Sequence, residues 1–204
     1  QKIIKEHKQI IFNGDGYDDR WIEEATKERG LLNLKTTVDA IEALKDPKNR
    51  ELLSSHHVMT EVEMDSRYEI TLENYNKSIL IEANTMVDMA SKEIMPAISQ
   101  YSADLAASMT AKLAISPDLL CTYEKKRIFA LSSLLDQMVT ATEELEAVTD
   151  KVQKEPCAKK QGEIIRDELL EKMSALRKPA DEAEMLTAEE YWPFPTYSDL
   201  LFYR

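Results

Sequence analysis

Residues 60–114 read TEVEMDSRYEITLENYNKSILIEANTMVDMASKEIMPAISQYSADLAASMTAKLA, and this stretch decides the fold. Apolar or aromatic residues recur within it at spacings of four, three and four, a pattern that repeats every eleven residues. These positions are Tyr68, Leu72, Tyr75, Ile79, Ala83, Met86, Ala90, Ile94, Ala97, Tyr101 and Leu105. An eleven-residue repeat averages about 3.67 residues per turn, which keeps the stripe on one side of a nearly straight helix. The pattern therefore predicts one long amphipathic helix over residues 61–114.

Two local signals refine this helix. Thr60 and Glu63 form a capping box, in which each residue accepts a hydrogen bond from a backbone N–H left free at the helix start. Pro96 lies inside the helix, where a proline removes a hydrogen bond and costs about 3 kcal/mol or more. Because the stripe keeps its phase across Pro96, we expect a kink there and not a stop.

Two more helices follow after short connections. Ser116, Pro117 and Asp118 supply a cap, a first-turn proline and an acidic residue, and they predict that a second long helix starts there. Its heptad stripe consists of Leu131, Leu134, Met138, Ala141, Leu145, Val148 and Val152. After a loop at residues 154–156, a third helix is predicted over residues 160–178 and is broken by Pro179. Short connections between amphipathic helices predict an antiparallel packing of all three.

The N-terminal part carries weaker signals. Residues 1–12 are amphipathic and are followed by a turn at residues 13–16. Helices are predicted over residues 18–29, closed by Gly30, and over residues 37–45 and 47–56, the last with Asp46 as its N-cap. The expected fold is all-α, with an antiparallel bundle of three long helices, a small N-terminal helical layer and an extended C-terminal tail. The predicted domains are residues 1–58, 59–180 and 181–204.

Composition limits the possible functions. The net charge is −12, from 38 acidic and 26 basic residues, whereas a nucleic-acid surface needs clustered cations. No apolar run approaches the roughly 20 residues that cross a bilayer. The start at Gln1 shows neither an initiator Met nor the pattern of a signal peptide, which predicts a piece cut from a longer chain. We therefore expect a cytoplasmic piece of a longer chain with no nucleic-acid or membrane partner, and we expect Cys121 and Cys157 to be reduced.

Three candidate metal sites are disfavoured by the residues themselves. Residues 13–24 resemble a calcium loop, but Asp18 stands where the sharp turn needs glycine. Adjacent residues on a helix point about 100° apart, so His56 and His57 fit a solvated helix end better than a chelating pair. A di-iron bundle needs Glu-x-x-His pairs, and the sequence has none. We predict no catalytic, metal or cofactor-binding residue in this chain.

The last fourteen residues differ from the rest because they hold six of the fourteen aromatic residues and two prolines. The prolines predict an extended backbone. So much aromatic surface is expected to be docked on another surface. The predicted docking and assembly residues are Tyr191, Trp192, Phe194, Tyr197, Leu200, Leu201 and Phe202.

Three stretches carry a family resemblance. They are residues 10–40 (IIFNGDGYDDRWIEEATKERGLLNLKTTVDA), residues 66–97 (SRYEITLENYNKSILIEANTMVDMASKEIMPA) and residues 189–202 (EEYWPFPTYSDLLF). Together they resemble the C-terminal region of type III glutamine synthetases, the large bacterial form. The resemblance spans nearly the whole chain.

The resemblance implies that ATP, magnesium and the metal-binding Glu and His residues belong to a catalytic body upstream of Gln1. That body would join ammonia to glutamate and assemble into double hexameric rings, so its partners are the upstream body and neighbouring subunits of a homo-oligomer. No catalytic residue is carried over to this chain. On this interpretation the chain is an assembly or regulatory domain that is inactive alone. The alternative is a freestanding coiled-coil adaptor, whose upstream sequence would continue in heptads or a linker.

Overall fold

The computed structural model of the chain describes residues 1–195 and 197–201. Within those residues the regular secondary structure is entirely helical, without a β-strand, so the all-α prediction is confirmed. The chain divides into two compact units, Gln1–Tyr68 (unit 1) and Glu69–Arg204 (unit 2). The boundary falls inside the long helix that the capping box starts.

Unit 1 is built from short helices. They are α1 (Lys2–Glu6), α2 (Asp19–Glu23), α3 (Thr37–Ala40), α4 (Pro47–Ser55) and the first turns of α5 (Glu61–Met89). A π-helical turn (Glu24–Glu28) extends α2, and 3₁₀ turns occupy Lys8–Ile10 and Ile41–Leu44.

The helix ends in unit 1 follow the sequence signals. Asp18 accepts a hydrogen bond from the Arg20 N–H at 2.9 Å, and Asp46 accepts one from the Lys48 N–H at 2.8 Å. Gly30 has a φ of +68°, a conformation that glycine adopts without steric cost. Through that turn the Leu31 N–H reaches the Ala25 carbonyl at 2.8 Å and closes the helix. The predicted ends at Asp46 and Gly30 are confirmed.

The start of α5 is fixed twice. In the capping box, the Thr60 N–H donates to Glu63 Oε2 at 2.7 Å and the Glu63 N–H donates to Thr60 Oγ1 at 3.3 Å. One turn and two turns later, Met64 and Tyr68 are buried. The Tyr68 hydroxyl donates to Glu42 Oε1 at 2.7 Å, which ties α5 to the 3₁₀ turn. The capping box predicted from the sequence is confirmed.

Unit 2 contains long helices together with some short ones. They are the rest of α5, α6 (Met95–Ile115), α7 (Thr122–Lys154), α8 (Ala158–Ile164), α9 (Leu170–Glu184) and α10 (Tyr197–Leu201). π-helical turns at Ala90–Ile94 and Ile165–Leu169 join α5 to α6 and α8 to α9, and a 3₁₀ turn covers Glu189–Tyr191. None of the helices in the described residues is long and apolar enough to span a bilayer.

Helical structure continues past Pro96, and the π-helical turn explains how. The Met95 N–H donates to the Ala90 carbonyl, five residues back, and Pro96 then lies in the first turn of α6, where a missing N–H is tolerated. The wider turn also moves the stripe. Ile98 is fully buried and Ala97 is half-buried, so the burial predicted at Ala97 belongs to Ile98.

The core of unit 2 lies where α7 packs against both α6 and α9. Leu131, Met138 and Leu145 from the α7 stripe are completely buried. Ion pairs between α7 and the third helical stretch join Lys151 to Glu168 and Lys172 to Glu144. From one pair to the other, the residue number on α7 falls from 151 to 144 while that of its partner rises from 168 to 172. The two helical stretches therefore run antiparallel.

The predicted start of the second long helix at Pro117 is wrong. Residues 116–121 form a connection, in which the Asp118 N–H donates to Ser116 Oγ at 3.3 Å, and α7 begins only at Thr122. Cys121 turns the chain into α7 with a φ of +46°. The serine and proline therefore cap a turn and not a helix.

The predicted end of the third helix at Lys178 is also wrong, because α9 continues to Glu184 with Pro179 inside it. Pro179 is buried between Leu176 and Ala183, which are buried too. A proline inside a helix removes one hydrogen bond. Packing of this apolar face against α7 offsets that loss, and the sequence signal alone gave the wrong boundary.

Candidate functional site

The beginning of the aromatic tail lies against the helices of unit 2. Tyr191, Trp192 and Phe194 are half-buried and pack against the apolar core. The 3₁₀ turn that carries Tyr191 packs on α6. We call these three residues the tail anchor.

Tyr191 makes the most specific contacts of the tail anchor. Its ring lies 5.0 Å from the ring of Tyr101, centroid to centroid, at an interplanar angle of 46°. Its hydroxyl donates to Asp104 Oδ2 at 2.6 Å. Tyr101 and Asp104 are three residues apart on α6, so they lie on neighbouring positions of one helix face. Tyr191 therefore meets an aromatic ring and a charged acceptor together.

The contact continues to α7 through a second tyrosine. The hydroxyls of Tyr101 and Tyr123 share a hydrogen bond of 3.0 Å. The Arg127 guanidinium carbon lies 5.6 Å from the centroid of the Tyr123 ring, within cation–π range. Tail, α6 and α7 are thus linked by a series of side-chain contacts.

These contacts shift the pKa values of all three phenols. Burial, with a smaller effect of the hydrogen bond to Tyr123, raises the pKa of Tyr101 to about 12. The hydrogen bond to Asp104 raises the pKa of Tyr191, because ionisation would place two negative charges side by side. The hydrogen bond with Tyr101, together with a smaller effect of Arg127, lowers the pKa of Tyr123. At neutral pH the Tyr101 and Tyr191 hydroxyls are therefore protonated, and the Tyr191 hydroxyl is able to donate to Asp104.

The other predicted docking residues lie farther along the tail. Leu200 and Leu201 are in α10 and are 65% and 73% exposed. The side chain of Tyr197 and the whole of Phe202 lie outside the described part of the structure.

Sequence reasoning missed the receptor of the tail anchor. Tyr101 belongs to the apolar stripe of α6 and is buried there, but nothing in the pattern pairs it with Tyr191. Asp104 and Tyr123 lie outside any stripe and carry no signal of their own. A charged acceptor three residues from a stripe tyrosine is a common arrangement on helices, so only the tertiary contact identifies it.

The residues weighed as metal ligands have structural positions. Asp15 Oδ1 accepts the Tyr17 N–H at 2.9 Å in a turn, and Asp18 caps α2. His57 has a φ of +52° and ends α4, where its N–H donates to the Ser54 carbonyl at 3.0 Å. Cys121 and Cys157 are free thiols. Among the residues that the structure describes, no three His, Cys, Asp or Glu side chains are grouped to hold a metal ion.

The sequence is similar to sequences of known proteins. A family model described as "Glutamine synthetase C-terminal domain" matches residues 1–113. A glutamine synthetase of Butyrivibrio fibrisolvens is 36% identical over 99% of this chain and 29% of its own length. A type-3 glutamine synthetase of Dictyostelium discoideum is 31% identical over the full chain and 29% of its own length. A glutamine synthetase of Bacteroides fragilis is 25% identical over 98% of the chain and 28% of its own length. The chain thus spans less than a third of these relatives.

Proposed function

Because the chain belongs to the glutamine synthetase C-terminal domain family, we propose that it is the helical C-terminal domain of an enzyme that joins ammonia to glutamate with ATP. The observation that carries this proposal is the alignment of the whole chain with 29% of two glutamine synthetases. The remaining part of such a polypeptide would hold the reaction centre. We also propose that the enzyme works in the cytoplasm, where ATP is supplied.

We propose that this domain has a structural role and takes no part in the chemistry. The parent reaction is expected to need magnesium and ATP, and magnesium prefers carboxylate oxygens with near-octahedral geometry. The described residues of this chain do not provide such a group of ligands. We therefore assign the metal and nucleotide to the rest of the polypeptide and no reaction step to this chain.

The tail anchor supports a role in assembly. Tyr191, Trp192 and Phe194 hold the start of the tail on unit 2, so the helix that follows is held close to this surface. In α10 the exposed Leu200 and Leu201 are free to contact another surface. We propose that α10, together with Tyr197 and Phe202, contacts the catalytic part or a neighbouring subunit of a homo-oligomer.

The activity is tested by comparing two purified proteins. The full-length polypeptide and the 204-residue chain are each given ATP, magnesium, glutamate and ammonia, and glutamine is measured. We expect glutamine from the full-length polypeptide and none from the chain alone. Glutamine made by the chain alone, or none made by the full-length polypeptide, would contradict the proposal.

The assembly role needs a separate measurement. Leu200→Asp with Leu201→Asp in the full-length polypeptide is expected to lower the particle mass measured by light scattering. Met185→Asp is a matched control, because Met185 is 80% exposed near the end of α9 and outside the tail. Equal masses for both variants and the parent would rule out a contact between subunits through α10.

A further inference from the structure

Unit 1 exposes apolar side chains that its own packing leaves uncovered. At the N-terminus, Ile3 and Ile4 are 73% and 60% exposed, and α1 has no buried residue. Farther along, Ile10 and Leu32 are 63% and 78% exposed. Exposed apolar side chains of this size are a feature of interaction surfaces when they lie together.

Two of the exposed residues, Ile10 and Leu32, are close in the sequence to one fixed cluster. Phe12 stacks on Trp21 with ring centroids 3.8 Å apart, and the Arg29 guanidinium carbon lies 4.9 Å from the Trp21 ring centroid. Arg29 Nη1 also donates to the Ile11 carbonyl at 2.7 Å. Ile10 and Ile11 therefore immediately precede Phe12, which is held in the stack. Leu32 lies two residues after Gly30. The stack fixes the path of the chain while the isoleucines stay outside it.

Exposed lysines accompany the exposed isoleucines at the N-terminus. The first eight residues contain Lys2, Lys5 and Lys8 and one acid, Glu6, in a chain whose net charge is −12. All three lysines are exposed. A complementary partner therefore offers an apolar surface bordered by carboxylates.

We propose that residues 1–12 together with Leu32 form a docking strip. Its partner is the remaining part of the parent polypeptide, which offers an apolar surface bordered by carboxylates. This inference rests on the proposed function, because it takes its partner from the same enzyme. The relatives are more than three times as long as the chain, so such a polypeptide has ample further surface. A second copy fits less well, since a two-fold contact between two strips would bring the same lysines together.

Hydrogen exchange in the full-length polypeptide and in the 204-residue chain tests the docking strip. We expect the amides of residues 1–12 to exchange more slowly in the full-length polypeptide, by a factor of roughly ten or greater. The docked contact must open before these amides exchange. Ile3→Asp with Ile4→Asp is expected to remove this protection. Ile81→Asp with Phe129→Asp is the matched control, because these residues are 66% and 77% exposed in unit 2.

A second variant guards against a folding defect in the first. Lys2→Glu with Lys5→Glu and Lys8→Glu changes only exposed side chains and is expected to reduce the protection of residues 1–12. Equal exchange in the full-length polypeptide and the chain would overturn the docking strip, as would protection in the chain alone that grows with its concentration. Glutamine formation by the unsubstituted full-length polypeptide is measured in parallel. Its absence refutes the proposed function, whereas its presence with unprotected amides refutes only the docking strip.

Discussion

Units 1 and 2 are both helical, but they are stabilised in different ways. Unit 2 buries a continuous apolar core, in which Leu131, Met138, Leu145 and Leu169 are completely inaccessible. Unit 1 depends on capped helix ends, one aromatic stack and a few buried side chains such as Val38 and Met64. Hydrophobic burial is the dominant favourable term in folding, so we expect the helices of unit 1 to open at lower free energy than those of unit 2.

Each unit contains one of the two tryptophans, which makes the comparison measurable. Trp21 is stacked in unit 1, and Trp192 packs on the core of unit 2. With Trp192→Phe the fluorescence reports unit 1, and with Trp21→Phe it reports unit 2. We expect the Trp21 signal to change at lower urea concentration. A Trp21 signal that changes at the same urea concentration as the Trp192 signal would contradict the expected difference in stability between the units.

The largest effect is expected in the middle of α7. Leu145→Ala removes a fully buried side chain and should lower the free energy of unfolding of unit 2 by about 2–5 kcal/mol, through lost burial and a cavity. Urea unfolding followed by Trp192 fluorescence measures it. Val139→Ala on the same helix is the control, since Val139 is 46% exposed and should change stability by less than about 1 kcal/mol. Equal effects of the two substitutions would mean that burial does not set the stability of unit 2.

A smaller effect is expected in the tail anchor. Phe194 is half-buried against the core, so Phe194→Ala should lower the free energy of unfolding by about 1–2 kcal/mol. The loss should be visible in the Trp192 fluorescence because the two residues are neighbours. Leu201→Ala, at a position that is 73% exposed, should leave the unfolding of the isolated chain unchanged. A neutral Phe194→Ala would show that the tail adds nothing to the bundle.

In unit 1 a single cap is expected to matter. Thr60→Ala removes the acceptor of the capping box and should cost about 1 kcal/mol. Trp21 fluorescence and far-ultraviolet circular dichroism follow the loss. Thr60→Ser keeps the hydroxyl and should retain the stability, so a serine variant as weak as the alanine variant would argue against the cap.

The smallest effect is expected from alkaline pH. The folded-state pKa of Tyr101 is raised to about 12, and that of Tyr191 is also raised, whereas an unfolded tyrosine titrates near pH 10. Above pH 10 the unfolded state binds fewer protons, so the contribution of these phenols to stability is complete below pH 10 and is lost as pH rises towards 12. The lowered pKa of Tyr123 acts in the opposite direction.

Unfolding of the Trp21→Phe chain between pH 8 and pH 12 measures this dependence. In the Tyr191→Phe variant the free energy of unfolding should decline less steeply above pH 10, because one of the two phenols with a raised pKa is absent. An equally steep decline in that variant would show that Tyr191 does not contribute.

Much of the local structure could be predicted from the sequence because the signals are local. The capping box at Thr60, the N-cap at Asp46 and the closure at Gly30 each depend on contacts within a few residues. The two wrong boundaries have a different origin. Pro117 stands in a sequence that is typical of a helix start, but it lies in a turn. Pro179 stands in a sequence that is typical of a helix end, but it lies inside a packed helix.

For the tail, the sequence predicted aromatic docking without a receptor. Tyr191 and Asp104 are far apart in the sequence, and their hydrogen bond exists only because α6 and the tail come together. A polar pair of this kind has no periodicity, so no window of sequence contains its signal.

The sequence by itself determined the all-α class, the apolar stripe of α7 and the caps at Asp46 and Thr60, since periodic burial and free backbone groups at helix ends act over a few residues. Only the tertiary structure decided where the long helix passes Pro96 by a π-helical turn, that Pro179 is held inside α9, and which side chains receive the tail. Those outcomes depend on packing energies between distant segments, which offset the local preferences of proline and tyrosine.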